Sequence, residues 1–313
     1  MWAPLPGPPE LLDRAYPGLQ HKAGLRLQAV IFKEVHDSLG AEGRTRLVAA
    51  AGLAGAGFLG ITPWNDDWGG HRRLDPDDFR FAYSRLLGVP VAAAEALGEC
   101  PRCARRGGPW ALLDHLWGIC SSGPTYSAPH GVTVRWMRRM LGSIYGPARV
   151  ATEVGFQADN SRQGDLVVHN ADGVRHTVVD VTCVHPRTGD ASRAAADRAE
   201  KAKLRADAAY GERSLRRRGH LFVPFGVESS GGLGPQADRF LRRCARLAVE
   251  RRRRIGGQLA DEVCWLAGEG QMRAALLLRW KQELCALQHS TRAANTRAAL
   301  LLPVRRGNFG RRE

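Results

Sequence analysis

The sequence predicts an α/β fold, and three observations point to it. Two segments read as strands, 165–169 and the Val- and Thr-rich 174–184. Segments with apolar residues at helical spacing lie on both sides of them. Hydrophobic residues make up 44% of the chain, enough for a buried core and too many for a disordered polypeptide. The length of 313 residues corresponds to about two domains.

Taken in order, residues 1–10 are Pro-rich, and 11–50 read as helix with Leu25, Leu27, Val30, Ile31 and Val35 as apolar positions. The Gly-rich stretch 52–60 and the segment 63–76 read as loops. Residues 78–87 read as a helix closed by Gly88 and Pro90. Residues 132–145 read as a helix with Val132, Val134, Trp136, Met137, Met140 and Leu141. Asn170-Ala171-Asp172-Gly173 separates the two strands, and Asp-Gly favours a hairpin turn. An Ala-rich helix is expected over 191–210, then a strand over 221–227 in which Pro224 marks an edge or bulge. Helix follows over 235–253 and 257–300, and the tail from Arg305 is basic. The expected organisation is a helical linker region (1–95), a Cys/His segment (96–130), an α/β domain (131–256) and C-terminal helices with a basic tail (257–313).

Lysine plus arginine total 46 against 31 acidic residues, a net charge of +15. That charge favours a polyanionic partner, nucleic acid first, although heavy Arg, Ala and Gly usage also follows from GC-rich codons. The longest uncharged run, 47–65, carries Gly52, Gly55, Gly57, Gly60 and Pro63 and makes a poor membrane span. No signal peptide opens the chain, so neither a secreted nor a membrane protein is expected. Seven cysteines without a signal peptide fit a reducing compartment.

Cys100-Pro-Arg-Cys103 is a C-x2-C knuckle, with His115 and Cys120 following. Two thiolates from one tight turn, plus an imidazole and a thiolate, form a typical tetrahedral zinc set. With four protein ligands the site would be structural, since no position is left open for water. Residues 112–119 can form one short helix. His130 is a weaker extra ligand; an ordinary polar histidine near a helix start is the plainer reading. Cys183, Cys244, Cys264 and Cys285 read as core residues, as do Trp64, Trp68, Trp110, Trp117 and Trp136.

Asp165 and Asp180 stand on the two strands. A two-residue turn at Asp172-Gly173 would put them directly opposite; a four-residue turn would put Asp165 opposite Val178 with Asp180 diagonal. Either register leaves both carboxylates, and Thr182, on one face. Asp180 interrupts the run Val178, Val179, Val181, Val184, and a carboxylate there is costly unless paired or metal-bound. Two such carboxylates suit Mg2+, while a strand-end or arginine-paired aspartate is the plainer alternative. Lysine occurs at only five positions, and two are Lys201 and Lys203 in the next helix. Ala196, Ala199, Lys203, Ala206 and Tyr210 fall on one helical face that should meet the sheet. Lys201 points about 200° away, toward water. A lysine over two carboxylates could stabilise charge at a cleaved phosphate.

In their order, these motifs resemble the C-terminal region of eukaryotic non-LTR retrotransposon polyproteins. There a Cys-Cys-His-Cys knuckle precedes an endonuclease of the restriction-like PD-(D/E)XK type. Gly57-Phe58-Leu59 with Pro63, then Phe79 through Pro90, resemble the linker that ends the reverse-transcriptase part. Glu153 is similar to the acidic position before the first strand, and Gln163-Gly164-Asp165-Leu166 to the family's Arg-Pro-Asp-Ile strand. Val178 through Thr182 resembles the central Asp-Val-Thr strand, and Lys203 with Tyr210 the later lysine-tyrosine helix. Phe222-Val223-Pro224-Phe225, Glu228 and Gly231-Gly232 resemble the closing strand and loop. The resemblance spans residues 55 to about 300. It departs where Gln163-Gly164 replaces Arg-Pro and where Thr182 holds the lysine position of the D-x-K motif. No Tyr-x-Asp-Asp motif occurs, so the chain is not the polymerase itself and is expected to be a detached end of such an element.

The resemblance implies a restriction-endonuclease-like core, with a mixed sheet from about 154 to 184 flanked by helices. It implies a Mg2+-dependent DNA-nicking endonuclease in which Asp165 and Asp180 hold the metal and Lys203 steadies the phosphate. Glu153 would be a further carboxylate, with Thr182, Lys201 and Tyr210 completing the candidate site. Zn2+ would be structural. The partner would be DNA, with RNA a second possibility, and the location nuclear. The alternative is a catalytically degenerate nucleic-acid-binding module; a third reading is a zinc-containing interaction protein. Arg216-Arg217-Arg218 and Arg251–Arg254 could track phosphates or act as localisation signals, or simply be solvated helix ends.

Overall fold

The computed structural model describes residues 97–125, 127–155, 163–186, 194–255 and 268–301, with a few helical positions at 30, 33–34, 37–38, 77–78 and 80–82. Most of the expected helices 11–50 and 78–87, the loops 52–60 and 63–76, residues 257–267 and the tail from Arg305 lie outside the described residues. So do Trp64, Trp68 and Cys264, and the side chain of Trp110.

The fold is mixed α/β. Helix α1 (Pro109–Asp114) runs into a single π-helical turn, His115–Ile119. Helix α2 (Ser127–Tyr145) leads through a 3-10 turn (Pro147–Arg149) into three strands: β1 (Val150–Gly155), β2 (Gln163–Val168) and β3 (Thr177–Val184). Helix α3 (Ala194–Ala209), strand β4 (Leu221–Glu228), helix α4 (Pro235–Ile255) and helix α5 (Glu269–Leu300) complete it. The strands form one sheet in the order β1-β2-β3-β4. The first three are antiparallel, and α3 carries the chain over to β4, which runs parallel to β3. A four-stranded mixed sheet flanked by helices is thus present.

Alternation on the strands sorts the side chains into two layers. Leu166, Val168, Val179, Val181, Cys183, Val223 and Phe225 face a large core completed by α2, α4 and α5. Helix α2 supplies Trp136, Met137, Met140, Leu141 and Ile144, and α4 supplies Phe240, Leu241 and Cys244. Cys183, Cys244 and Cys285 are buried, as read from the sequence. On the opposite face Val167, Val178, Phe222 and Leu215 form a smaller cluster with Leu204 of α3. Pro224 lies on the edge strand β4, which tolerates its missing N–H.

The residue pattern of 150–155 predicts no strand, yet β1 pairs with β2 on both sides of Glu153. Its neighbour β2 supplies the ladder that its own short, Gly-terminated sequence does not advertise. The expected single helix over 112–119 is also corrected. It widens at His115, where Cys120 N–H donates to His115 O at 2.7 Å, five residues back.

Helix α5 ties the Cys/His segment to the α/β core. Its Arg292 donates to Trp117 O at 2.8 Å, and Gln288 donates to Thr133 Oγ1 of α2 at 2.7 Å. Arg102 reaches Asn295 O at 2.7 Å. His185, after β3, bonds Asp114 at 2.8 Å and Ser229 at 2.7 Å. Gly118 lies under that ring, where a Cβ would fall 2.2 Å from Nδ1. Any larger residue would push the π turn off the sheet.

Candidate functional site

The first site is the Cys/His cluster. Cys100 and Cys103 sit on a tight turn in which Ala104 N–H donates to Cys100 O and Cys100 N–H to Arg105 O, both at 2.8 Å. The π turn brings His115 and Cys120 onto the same side. Cys103 Sγ is 3.1 Å from His115 Nε2, and Cys100 Sγ is 3.9 Å from Cys120 Sγ. All four ligand atoms lie within 4.8 Å of one another. The set could therefore hold a metal ion such as zinc.

Its electrostatics fit such an ion. Burial pushes the Cys120 thiol up to about 12, and the neighbouring Cys100 and Cys103 add to the shift. Burial also acts to raise Cys103, but the Arg105 N–H and the two neighbouring thiols outweigh it, and the net shift is down. His115 is held down by burial and by Arg105, so the imidazole stays neutral and able to ligate. Three thiols crowded with one neutral imidazole repel each other as thiolates, and a soft divalent cation removes that repulsion.

The second site is acidic. The β2–β3 register runs Val168↔Thr177, Val167↔Val178, Leu166↔Val179, and the next step sets Asp165 against Asp180. Of the two registers open from the sequence, the directly opposed one is realised. Asp165 Oδ2 accepts the Val181 N–H at 2.6 Å where the ladder stops. The same oxygen lies 3.1 Å from His130 Nε2. Lys203, on the sheet-facing side of α3, is 2.9 Å from both Asp180 oxygens.

The two carboxylates are in unlike environments. Burial raises Asp180, Lys203 opposes it, and the Asp165 charge adds to the rise, so its net shift is up. Burial would raise Asp165 too, but the bonds from His130 and Val181 N–H prevail and its net shift is down. His130 is raised, first by its bond to Asp165 and against the cost of burial. Two acids that push apart in this way form a cation-seeking pair.

The remaining candidates separate. Thr182 lies two residues beyond Asp180 on the same face of β3, beside Gly226. Lys201 points away and pairs with Asp197 at 2.6 Å. Tyr210 does not continue the sheet-facing stripe: it lies beyond α3 and is 42% exposed. Ala206 is exposed as well, because α3 instead turns Asp207 inward to bond Ser214 and Leu215. Glu153 does not precede the first strand but lies inside β1, exposed and with φ of 54°. The register sets it at the rung of Asp165, and the left-handed backbone interrupts the pairing there, between Thr152↔Leu166 and Val154↔Gly164. His130 is not a fifth residue of the Cys/His cluster; the start of α2 delivers it to Asp165.

Sequence reasoning missed two buried carboxylates, Glu200 and Asp207, and read a third, Glu228, only as part of the closing strand and loop. Glu200 accepts N–H groups of Gly226, Gln236 and Ala237, capping α4. Glu228 accepts those of Ala195 and Ala196, capping α3. Asp207 holds the turn before β4. These are structural acids, since each satisfies backbone donors that a helix or turn leaves open. Among the described residues, no helix is long and apolar enough to cross a membrane. Comparison with family models, curated proteins and solved structures returned no match.

Proposed function

We propose that this chain is a Mg2+-dependent DNA endonuclease with a restriction-endonuclease-like core, of retroelement origin. One observation carries the reading: Asp165 and Asp180 oppose each other on adjacent strands, and Lys203 closes on Asp180 from the packed helix. Hard oxygen donors in a partly buried pair, with a net rise at Asp180, suit a hard divalent cation. The chemistry such an ion supplies is polarisation of a phosphoryl oxygen and activation of water.

The chain's own residues do the rest. His130 and the Val181 N–H hold one Asp165 oxygen in place. Asp180 is carried on the rigid centre of the sheet, which fixes its spacing from Asp165. Lys203 brings a positive charge to the place where negative charge builds on the cleaved phosphate. The exposed Arg216–Arg218 turn and the net charge of +15 support binding of the DNA backbone, and of RNA as a second partner. A nuclear location is part of the same proposal.

Incubation with supercoiled DNA and Mg2+ or Mn2+ tests the proposal. Wild-type protein should nick, and Asp180→Ala should lose about a hundredfold or more of the rate while retaining its fold. A fully active variant would overturn it. A second reading, a degenerate nucleic-acid-binding module, is favoured by Thr182 at the expected lysine position and by Gln163-Gly164 in place of Arg-Pro. It expects salt-sensitive DNA binding with no cleavage under any metal.

A further inference from the structure

We propose that His169, His176 and His220 form a binding site for a divalent transition-metal ion at the hairpin end of the sheet. This site is separate from the Cys/His cluster and from the acidic pair. It does not rest on the endonuclease reading.

The strand register builds the row. One step beyond Val168↔Thr177, His169 stands opposite His176. One step before Thr177↔Leu221, His176 stands beside His220. Leu221 N–H donates to His176 O at 2.9 Å, which holds the β3 and β4 ends together at this rung. Residues in one cross-strand row share a face. The three imidazoles therefore project side by side from three adjacent strands. Asp180 lies four steps along β3 from His176, about 13 Å, and the apolar row of Val167, Val178 and Phe222 lies between.

Each adjacent pair of rings is spaced as two ligands of one ion are. The His169 and His176 ring centres are 5.1 Å apart, and those of His176 and His220 are also 5.1 Å apart. Two imidazoles on one tetrahedral ion, with nitrogen about 2 Å from the metal, have ring centres about 5 Å apart. His169 and His220 are two strands apart, so His176 is the shared ligand, and an ion held by all three draws the two outer rings toward it. His176 Nδ1 accepts an exposed 3.3 Å bond from Asn170 N–H, the contact that an ion taking this lone pair replaces. Imidazole donors select zinc, nickel or copper over magnesium.

The test is isothermal titration of untagged, zinc-loaded full chain with Ni2+. Wild-type protein should take up about one equivalent, with the zinc of the Cys/His cluster retained. His176→Gln should weaken binding at least tenfold, and His220→Gln on another strand should weaken it as well. Circular dichroism and zinc content should match wild type. If His176→Gln does not fold, His220→Gln with His169→Gln decides. No nickel uptake by wild type, or uptake unchanged in the folded variants, would overturn the site.

Discussion

His130 Nε2 lies 3.1 Å from Asp165 Oδ2, so the first turn of α2 meets the sheet at the acidic pair. The contact joins a helix start to the point where the β2–β3 ladder ends. It orients one carboxylate, while Lys203 on the far side holds the other. The pair is thus braced by a histidine and a lysine from two different helices.

Such an arrangement costs stability. Burial and mutual repulsion raise Asp180 despite Lys203. In Mg2+-free buffer, zinc-loaded Asp180→Asn should melt at or above the wild-type temperature, a gain of up to about 2 kcal/mol. Calorimetry at neutral pH reads this directly. A marked drop would show that the Lys203 pair is a net stabiliser.

The Cys/His cluster should carry one zinc per chain. Cys103 is the ligand to replace, being the least buried of the four. Cys103→Ser should retain less than about a tenth of the zinc. It should also loosen the small core of Leu112, Leu116 and Ala299 around the buried Cys100 and Cys120. Metal analysis and a fall in melting temperature check both.

Glu200 is expected to matter more than any surface acid. Its two oxygens satisfy three backbone N–H groups, two of them at the start of α4. Glu200→Ala should cost about 2–4 kcal/mol in urea unfolding. Glu200→Gln keeps one acceptor oxygen, and its cost should be about half as large.

Asp238 of α4 pairs with Lys281 of α5 and accepts from Arg242 at 2.8 Å. Burial acts to raise its carboxyl, but the bonds from Lys281 and Arg242 outweigh it and hold it below 3.8. A depressed folded value stabilises above the ordinary pKa and is lost as pH falls through the depressed one. Asp238→Asn should therefore cost about 1–3 kcal/mol at pH 7. The gap from wild type should close in strongly acidic solution; a gap independent of pH would contradict the pairing.

The sequence carried the local part of the site. C-x2-C spacing pointed to Cys100, Cys103, His115 and Cys120 because short-range ligand pairs are set by chain geometry. Alternation placed Asp165 and Asp180 on one face, and helical spacing chose Lys203 over Lys201. Long-range partners were not legible. His130 sits 35 residues before Asp165, and nothing local in either segment announces the contact. The inward turn of Asp207, which swings Tyr210 out, depends on Ser214 and Leu215 in the following turn.

By itself the sequence determined the alternation of helices and strands, the Cys/His set and which residues share a face. These follow from periodicity and from bonds within a few residues. Tertiary structure decided the hairpin register, the place of β1, the left-handed break at Glu153 and the meeting of His130 with Asp165. It also decided that three histidines from three strands stand in one row. Each depends on hydrogen bonds and packing between segments far apart in the chain, and only the closed sheet with its docked helices selects among them.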